Sequence, residues 1–135
     1  MDLFLVIQWV VRALLAIVFV GMGVLHLVPR VRNRMTAMIP PGLRGTGVLS
    51  PVSLVTVSGV AEIIGGLGLL VPVPEVRFAA GVWLIALLIA LLIAVFPANA
   101  YVARDPERFG RVAVPLVPRV IGQVVLGALV LVAAI

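Results

Sequence analysis

PVSLVTVSGVAEIIGGLGLLV, residues 51–71, is an apolar run long enough to cross a bilayer, and it carries a carboxylate, Glu62, near its middle. At the helical rise, a residue roughly ten positions from either end lies about 15 Å from water. The short glutamate side chain cannot reach the interface from there. An ionisable group at that depth faces a partner, faces a cavity or holds a proton, at a cost of at least about 2.5–3.5 kcal/mol. Glu62 therefore anchors any functional reading of the chain.

The rest of the sequence fits that stretch. Hydrophobic residues make up 64% of the 135 and charged residues only 11%, with a mean hydropathy of +1.33, whereas soluble domains are about half apolar and a quarter charged. Four apolar stretches, Leu3–Val28, Pro51–Val71, Pro74–Phe96 and Ala113–Ile135, each approach or exceed the ~20 residues a spanning helix needs. The expected architecture is an all-α integral membrane four-helix antiparallel (up-down) bundle, one transmembrane domain over residues 1–135. The first stretch is read as a helix and not a signal peptide, because Asp2 stands where a basic region belongs and the apolar run continues to Val28. With no cysteine and one histidine, thiol chemistry, iron–sulfur ligation and bis-histidine haem binding within one chain are excluded. No metal-ligand set is legible, and the chain holds no complete cofactor site.

All ten basic residues are arginine, and they follow the loops. Arg30, Arg32, Arg34 and Arg44 lie between the first two stretches and Arg104, Arg108 and Arg111 between the last two, against Arg77 alone on the other side. The net charge of +5 is thus a topology signal and not a nucleic-acid one. The positive-inside rule makes the chain a multi-pass protein of the cell (cytoplasmic) membrane with both long loops in the cytoplasm and both termini outside. Within the first loop, Val31, Met35, Met38 and Ile39 recur at helical spacing between arginines, so residues 30–39 read as an interfacial helix or as an ordinary basic loop. Trp9 and Tyr101 fit an aromatic belt.

Local punctuation marks the helix ends. Ser50-Pro51 is an N-cap serine followed by a proline at the first helical position, and Pro72-Val73-Pro74 closes one helix tightly against the next, making them antiparallel neighbours. Pro97 is expected to end the third helix. For the fourth, Pro115 and Pro118 either sit in its first turns or kink a longer helix.

The polar positions fall on stripes. Gln8, Arg12 and His26 lie within about 40° of one another on a helical wheel, with Ala16 and Gly23 along the same line. Ser58, Glu62 and Gly66 repeat at four-residue spacing, as do Arg119, Gln123 and Gly127, and Ala86, Ala90 and Ala94 form a small-residue seam. Counted from Leu3 and from Val71, Arg12 and Glu62 lie at the same depth, about 13 Å, which allows a structural ion pair. His26, Asn99 and Arg119 cluster toward the cytoplasmic ends with Glu62 deeper, outlining a candidate ligand cavity. Each has a simpler reading: Arg12 can snorkel outward, His26 and Arg119 can be interface residues, and Asn99 can cap a turn.

Gly21-x-Gly23-Val24-Leu25-His26, Met38-Ile39-Pro40-Pro41, the run from Ser58 to Leu70 containing AEIIGGLGLL, and Val95-Phe96-Pro97-Ala98-Asn99 together resemble, in order, the DoxX family of small four-helix membrane proteins. The final helix, with Val114-Pro115-Leu116-Val117-Pro118-Arg119, departs from the pattern. The resemblance implies a four-helix bundle, a link to membrane redox systems and a recurring polar set of Arg12, His26, Glu62 and Asn99. Three functions are then open. One is an accessory membrane subunit, not catalytic alone, in a membrane oxidoreductase, holding a quinone or lipid-like ligand through His26, Glu62, Asn99 and Arg119. Another is a structural or assembly protein recruiting a partner through its arginine-rich face. A small transporter comes last, because broken mid-membrane helices are missing from the pattern. Expected partners are the lipid bilayer, a redox-protein subunit and further copies of the chain, with no nucleic acid.

The arginine distribution predicts that a cysteine introduced by Arg104→Cys is labelled by an impermeant thiol reagent only after the membrane is opened from the cytoplasmic side. Labelling from outside intact cells would overturn the topology.

Overall fold

The computed structural model describes residues 2–112 and 115–135. The chain is all-α, with no strand among the described residues. Helix α1 runs Leu3–Leu27, opened by the Asp2 side chain accepting a hydrogen bond from the Phe4 amide at 3.3 Å. It stops because Pro29 forces the preceding Val28 into extended backbone, with φ −70° and ψ 119°. Pro29 then takes the first position of α2, Pro29–Ala37, where its missing N–H costs nothing. Arg44 reaches back to the end of that segment, its Nε donating to the Ile39 carbonyl at 3.0 Å.

After 3-10 turns at Pro41–Leu43 and Gly47–Leu49, Ser50 caps α3, Pro51–Gly68, as its spacing required, with Oγ accepting from the Ser53 amide at 3.3 Å. Helix α4 covers Pro74–Ala103, α5 is a single turn at Pro106–Phe109, and α6 covers Leu116–Ala134. The expected start of the last helix, Ala113, lies outside the described residues. Pro115 is the N-cap of α6 and Pro118 sits in its first turn, where no intrahelical donor is lost.

Three expectations need correction. Pro97 does not end its helix: α4 continues through it to Ala103. A proline removes one donor but fixes a helical φ, and neighbouring groups in an apolar bundle let the helix tolerate the gap. The alanine seam is also misplaced. Ala86 and Ala90 are exposed, Ala94 lies outside the described side chains, and the buried face of α4 is Ala80, Gly81, Leu84, Leu88, Ala98, Asn99 and Val102. Nor is the chain the expected four-helix bundle. The Arg-bearing segment after α1 and the turn after α4 form helices of their own, and the long helices pack as two unequal pairs, α1 on α3 and α4 on α6, which meet through α3–α4 and, more lightly, α1–α6.

The long helices run antiparallel in sequence order. Along α1 and α3, Gly23 faces Gly59 while Phe19 and Val20 face Gly66; along α3 and α4, Gly65 faces Leu84 and Gly68 faces Ala80. The core they enclose consists of Leu15, Phe19, Leu69, Ala80, Leu84, Leu88, Val130 and Ala133. Outward faces are apolar as well: Ile17 is 68% exposed and Val124 63%, too much contiguous apolar surface for a water-facing protein. Among the described residues, Leu3–Leu27, Pro51–Gly68 and Val117–Ala134 are long and apolar enough to cross a membrane by length and composition.

At the α1–α3 crossing the backbones nearly touch. A Cβ on Gly59 would lie 2.6 Å from His26 Cβ and 2.8 Å from the Gly23 carbonyl oxygen, so neither helix can retreat without opening the pair. Gly59→Leu should therefore lower stability by at least about 1–3 kcal/mol, read by unfolding in detergent. Gly122→Ala, where an added Cβ meets nothing within 4 Å, should be neutral or stabilising by up to about 1 kcal/mol. Equal effects of the two would contradict the crossing.

Candidate functional site

The polar stripe of α1 is buried as its spacing indicated, and its upper half closes the end of α6. Arg12 is 1% exposed and Gln8 3%. Arg12 Nε donates to the Ala133 carbonyl at 2.7 Å, Gln8 Nε2 to the Val132 carbonyl at 3.3 Å, and Arg12 Nη2 to Gln8 Oε1 at 3.2 Å. The last carbonyls of a helix have no intrahelical partner, and the C-terminus carries partial negative charge. A buried guanidinium satisfies both needs. The Arg12 guanidinium also lies 5.0 Å from the Trp9 ring centroid, a cation–π distance.

The structure does not pair Arg12 with Glu62. Glu62 lies instead against His26, with Oε2 at 3.5 Å from His26 Nδ1, and His26 is fourteen residues, about 21 Å of helix, beyond Arg12. Counting depth from segment ends assumed that both helices begin in one plane. Helix α3 stops at Gly68, and its level against α1 is fixed by the Gly23–Gly59 approach. His26 Nδ1 is 2.6 Å from the Met22 carbonyl, an acceptor only, so Nδ1 carries a proton and donates there. Glu62 Oε2, in a residue 7% exposed, is left buried without a hydrogen bond.

Asn99 and Arg119 come together elsewhere, between α4 and α6. With Pro118, Gly122, Gln123 and Leu126 they line an open cavity of about 370 Å³. A second hollow of about 150 Å³ adjoins it, lined by Ile85, Leu88, Ile89, Gln123, Val124 and Gly127. Gln123 borders both hollows of this α4–α6 groove, the first with polar lining side chains and the second with mostly aliphatic ones. His26 and Glu62 are not among its lining residues. The four expected ligand residues thus lie in two places, His26 with Glu62 and Asn99 with Arg119.

Asn99 is 7% exposed with Oδ1 buried and unpartnered, and Gln123 Oε1 is in the same condition. Each buried acceptor without a donor costs about 1–3 kcal/mol, and both oxygens are closed off from the surface. Gln123 was not among the expected ligand residues, although it shares a helical face with Arg119 and Gly127, and that spacing is the signal that identifies it. Tyr101 has a partner beyond the aromatic belt: it accepts from Arg108 Nη1 at 3.0 Å and packs edge-on against Phe109 with centroids 5.7 Å apart.

Residues 15–134 match the family model described as a domain of unknown function, DUF8561. The chain belongs to the DUF8561 family. No curated protein and no solved structure matches it. The resemblance to DoxX is corrected by this assignment, which covers the same stretches that carried it. The glycines of AEIIGGLGLL have a packing reason: Gly65 and Gly66 lie against Leu84 and against Phe19 and Val20. Small residues at such contacts recur wherever membrane helices pack closely, so the motif reports close packing and not descent. In this DUF8561 chain the redox link that rested on DoxX falls with it.

Because Arg12 and Glu62 share no partner, Arg12→Met and Glu62→Gln should be additive within about 0.5 kcal/mol in a double-mutant cycle of detergent unfolding. Arg12→Met alone should cost about 1–3 kcal/mol, since it strips the Ala133 carbonyl of its donor. A coupling well above that margin would restore the ion pair.

Proposed function

We propose that this chain is a multi-pass protein of the cell membrane, with both termini outside, that holds a lipid-like amphiphile in the groove between α4 and α6. The observation that carries the reading is the groove's polarity gradient. Asn99, Arg119 and Gln123 line one end, and mostly aliphatic side chains line the other. Binding sites of this kind are concave and largely apolar, with few polar groups to fix orientation. The outward apolar faces and the arginine-bearing loops support the membrane placement.

Quinone, the ligand the DoxX resemblance suggested, belongs to the same class of amphiphile, and the Arg119 guanidinium and the amide N–H groups of Asn99 and Gln123 are donors of the kind its carbonyls accept. The alternative is an assembly role, in which α2 and the loop around Arg108 recruit a partner by charge.

Native mass spectrometry of the protein released from mild detergent provides the test. Wild type should retain an adduct of lipid mass, and Gly127→Phe, which fills the apolar floor from a position where an added Cβ meets nothing within 4 Å, should lose it while unfolding normally. Wild type free of any amphiphile would leave the assembly role.

A further inference from the structure

We infer that the connection from α1 to α3, residues 28–50, is a docking surface for anionic phospholipid headgroups of the leaflet in which α1 ends, with Arg30 and Arg34 on the phosphates and Val48 and Leu49 among the upper acyl chains; this rests on the membrane placement and not on the groove's ligand. The positive charge is unopposed. No aspartate or glutamate stands between Asp2 and Glu62, while Arg30, Arg32, Arg34 and Arg44 all fall in the connection. Helix α2 sorts its residues by face. Val31, Arg32 and Met35 are half-buried, and Arg30, Asn33 and Arg34 are exposed, so two guanidiniums stand one turn apart on the outward side. Neither Arg30 nor Arg34 has a hydrogen bond or ion pair within the described residues, and the fork of donors on an arginine suits phosphate oxygens. Arg44 is committed elsewhere. Its Nε donates to the Ile39 carbonyl at 3.0 Å and its Nη2 to the Ala37 carbonyl at 3.4 Å, which covers the negative dipole end of α2 and keeps it from opposing an anionic surface.

Charge alone would suit an acidic soluble protein as well; the apolar half of the surface selects the bilayer. Val48 is 83% exposed, Leu49 61% and Leu43 53%. The turn that carries Val48 and Leu49 is held to the start of α3, because the Gly47 carbonyl accepts from the Ser50 amide at 3.1 Å and from Ser53 Oγ at 3.2 Å. The same exposed apolar surface continues into the first turn of α3 at Val52 and Leu54, on a helix long and apolar enough to cross a membrane. Helix α2 begins two residues after α1 ends and packs against both α1 and α3, so it stays beside their ends. The free arginines thus stand at the level of the headgroups with aliphatic side chains next to them, the combination by which basic amphipathic segments bind anionic membranes.

The test is native mass spectrometry of the full-length protein, as wild type and as Gly127→Phe with its groove filled, released from nanodiscs of equal phosphatidylglycerol and phosphatidylcholine with the same acyl chains. Both should retain phosphatidylglycerol in excess by about thirtyfold, about 1 kcal/mol for each of the two arginines. Arg30→Gln combined with Arg34→Gln should remove most of that excess while unfolding normally. A polarity-sensitive probe on Val48→Cys, in a chain with no other cysteine, should report an acyl-chain environment. Equal retention of the two lipids, or an excess that the arginine substitutions leave intact, would refute the surface. So would a probe at Val48 that reports water, the result expected if α2 serves an acidic soluble partner. An excess present in wild type and missing from Gly127→Phe would put the anionic lipid in the groove, overturning this surface and supporting that site. Failure of the chain to enter nanodiscs would remove the membrane placement on which both rest.

Discussion

The contact of α1 with α3 at Gly23 and Gly59 sets the level of everything around it. An added Cβ on Gly23 would strike the Gly59 carbonyl and the Ile63 side chain, and one on Gly59 would strike His26 and the Gly23 carbonyl. In an apolar medium the hydrophobic effect does not drive helices together, so close van der Waals approach must. This approach holds His26 against Glu62, and it leaves the start of α1 extending past the end of α3, free to meet α6. The Gln8–Arg12 clasp on the Val132 and Ala133 carbonyls follows from that offset.

The polar residues of the interior divide by what they satisfy. Arg12 and Gln8 answer needs internal to the fold, the bare carbonyls of a helix terminus. Glu62 is held beside His26 with one carboxylate oxygen unbonded, because the His26 proton is already committed to Met22. Asn99 Oδ1 and Gln123 Oε1 are buried without a hydrogen-bond partner, in residues that line the cavity between α4 and α6. Since α4 and α6 meet closely at Gly81 and Ala134 yet enclose a cavity at Asn99 and Gln123, their seam is closed at one end and open at the other. That taper gives the groove a polar mouth beside the helix ends.

Much of the secondary structure was legible because its signals are local. The N-cap at Ser50, the prolines at 51 and 74, and the amphipathic spacing after α1 depend only on neighbouring residues, and each marks an observed helix. Pro97 misled because the cost of a missing donor depends on what surrounds it, and in α4 the helix carries on. The alanines at 86 and 90 misled for a related reason: small residues permit close packing, but the side of the helix used was chosen by Gly81, Leu84 and Leu88.

Sequence alone determined that the chain is helical and apolar enough for a membrane, which faces of α1 and α3 turn inward, and that Arg12, His26, Glu62, Asn99 and Arg119 are the polar residues needing an account. Periodicity and composition carry that information without reference to any partner. Only the tertiary structure decided the pairings: Arg12 with the end of α6, Glu62 with His26, and Asn99 with Arg119 and Gln123. A helix wheel gives the direction of a side chain but not the axial offset between two helices. That offset is set by where backbones can touch, and here Gly23 and Gly59, beside His26 and Glu62 but three turns from Arg12, set it.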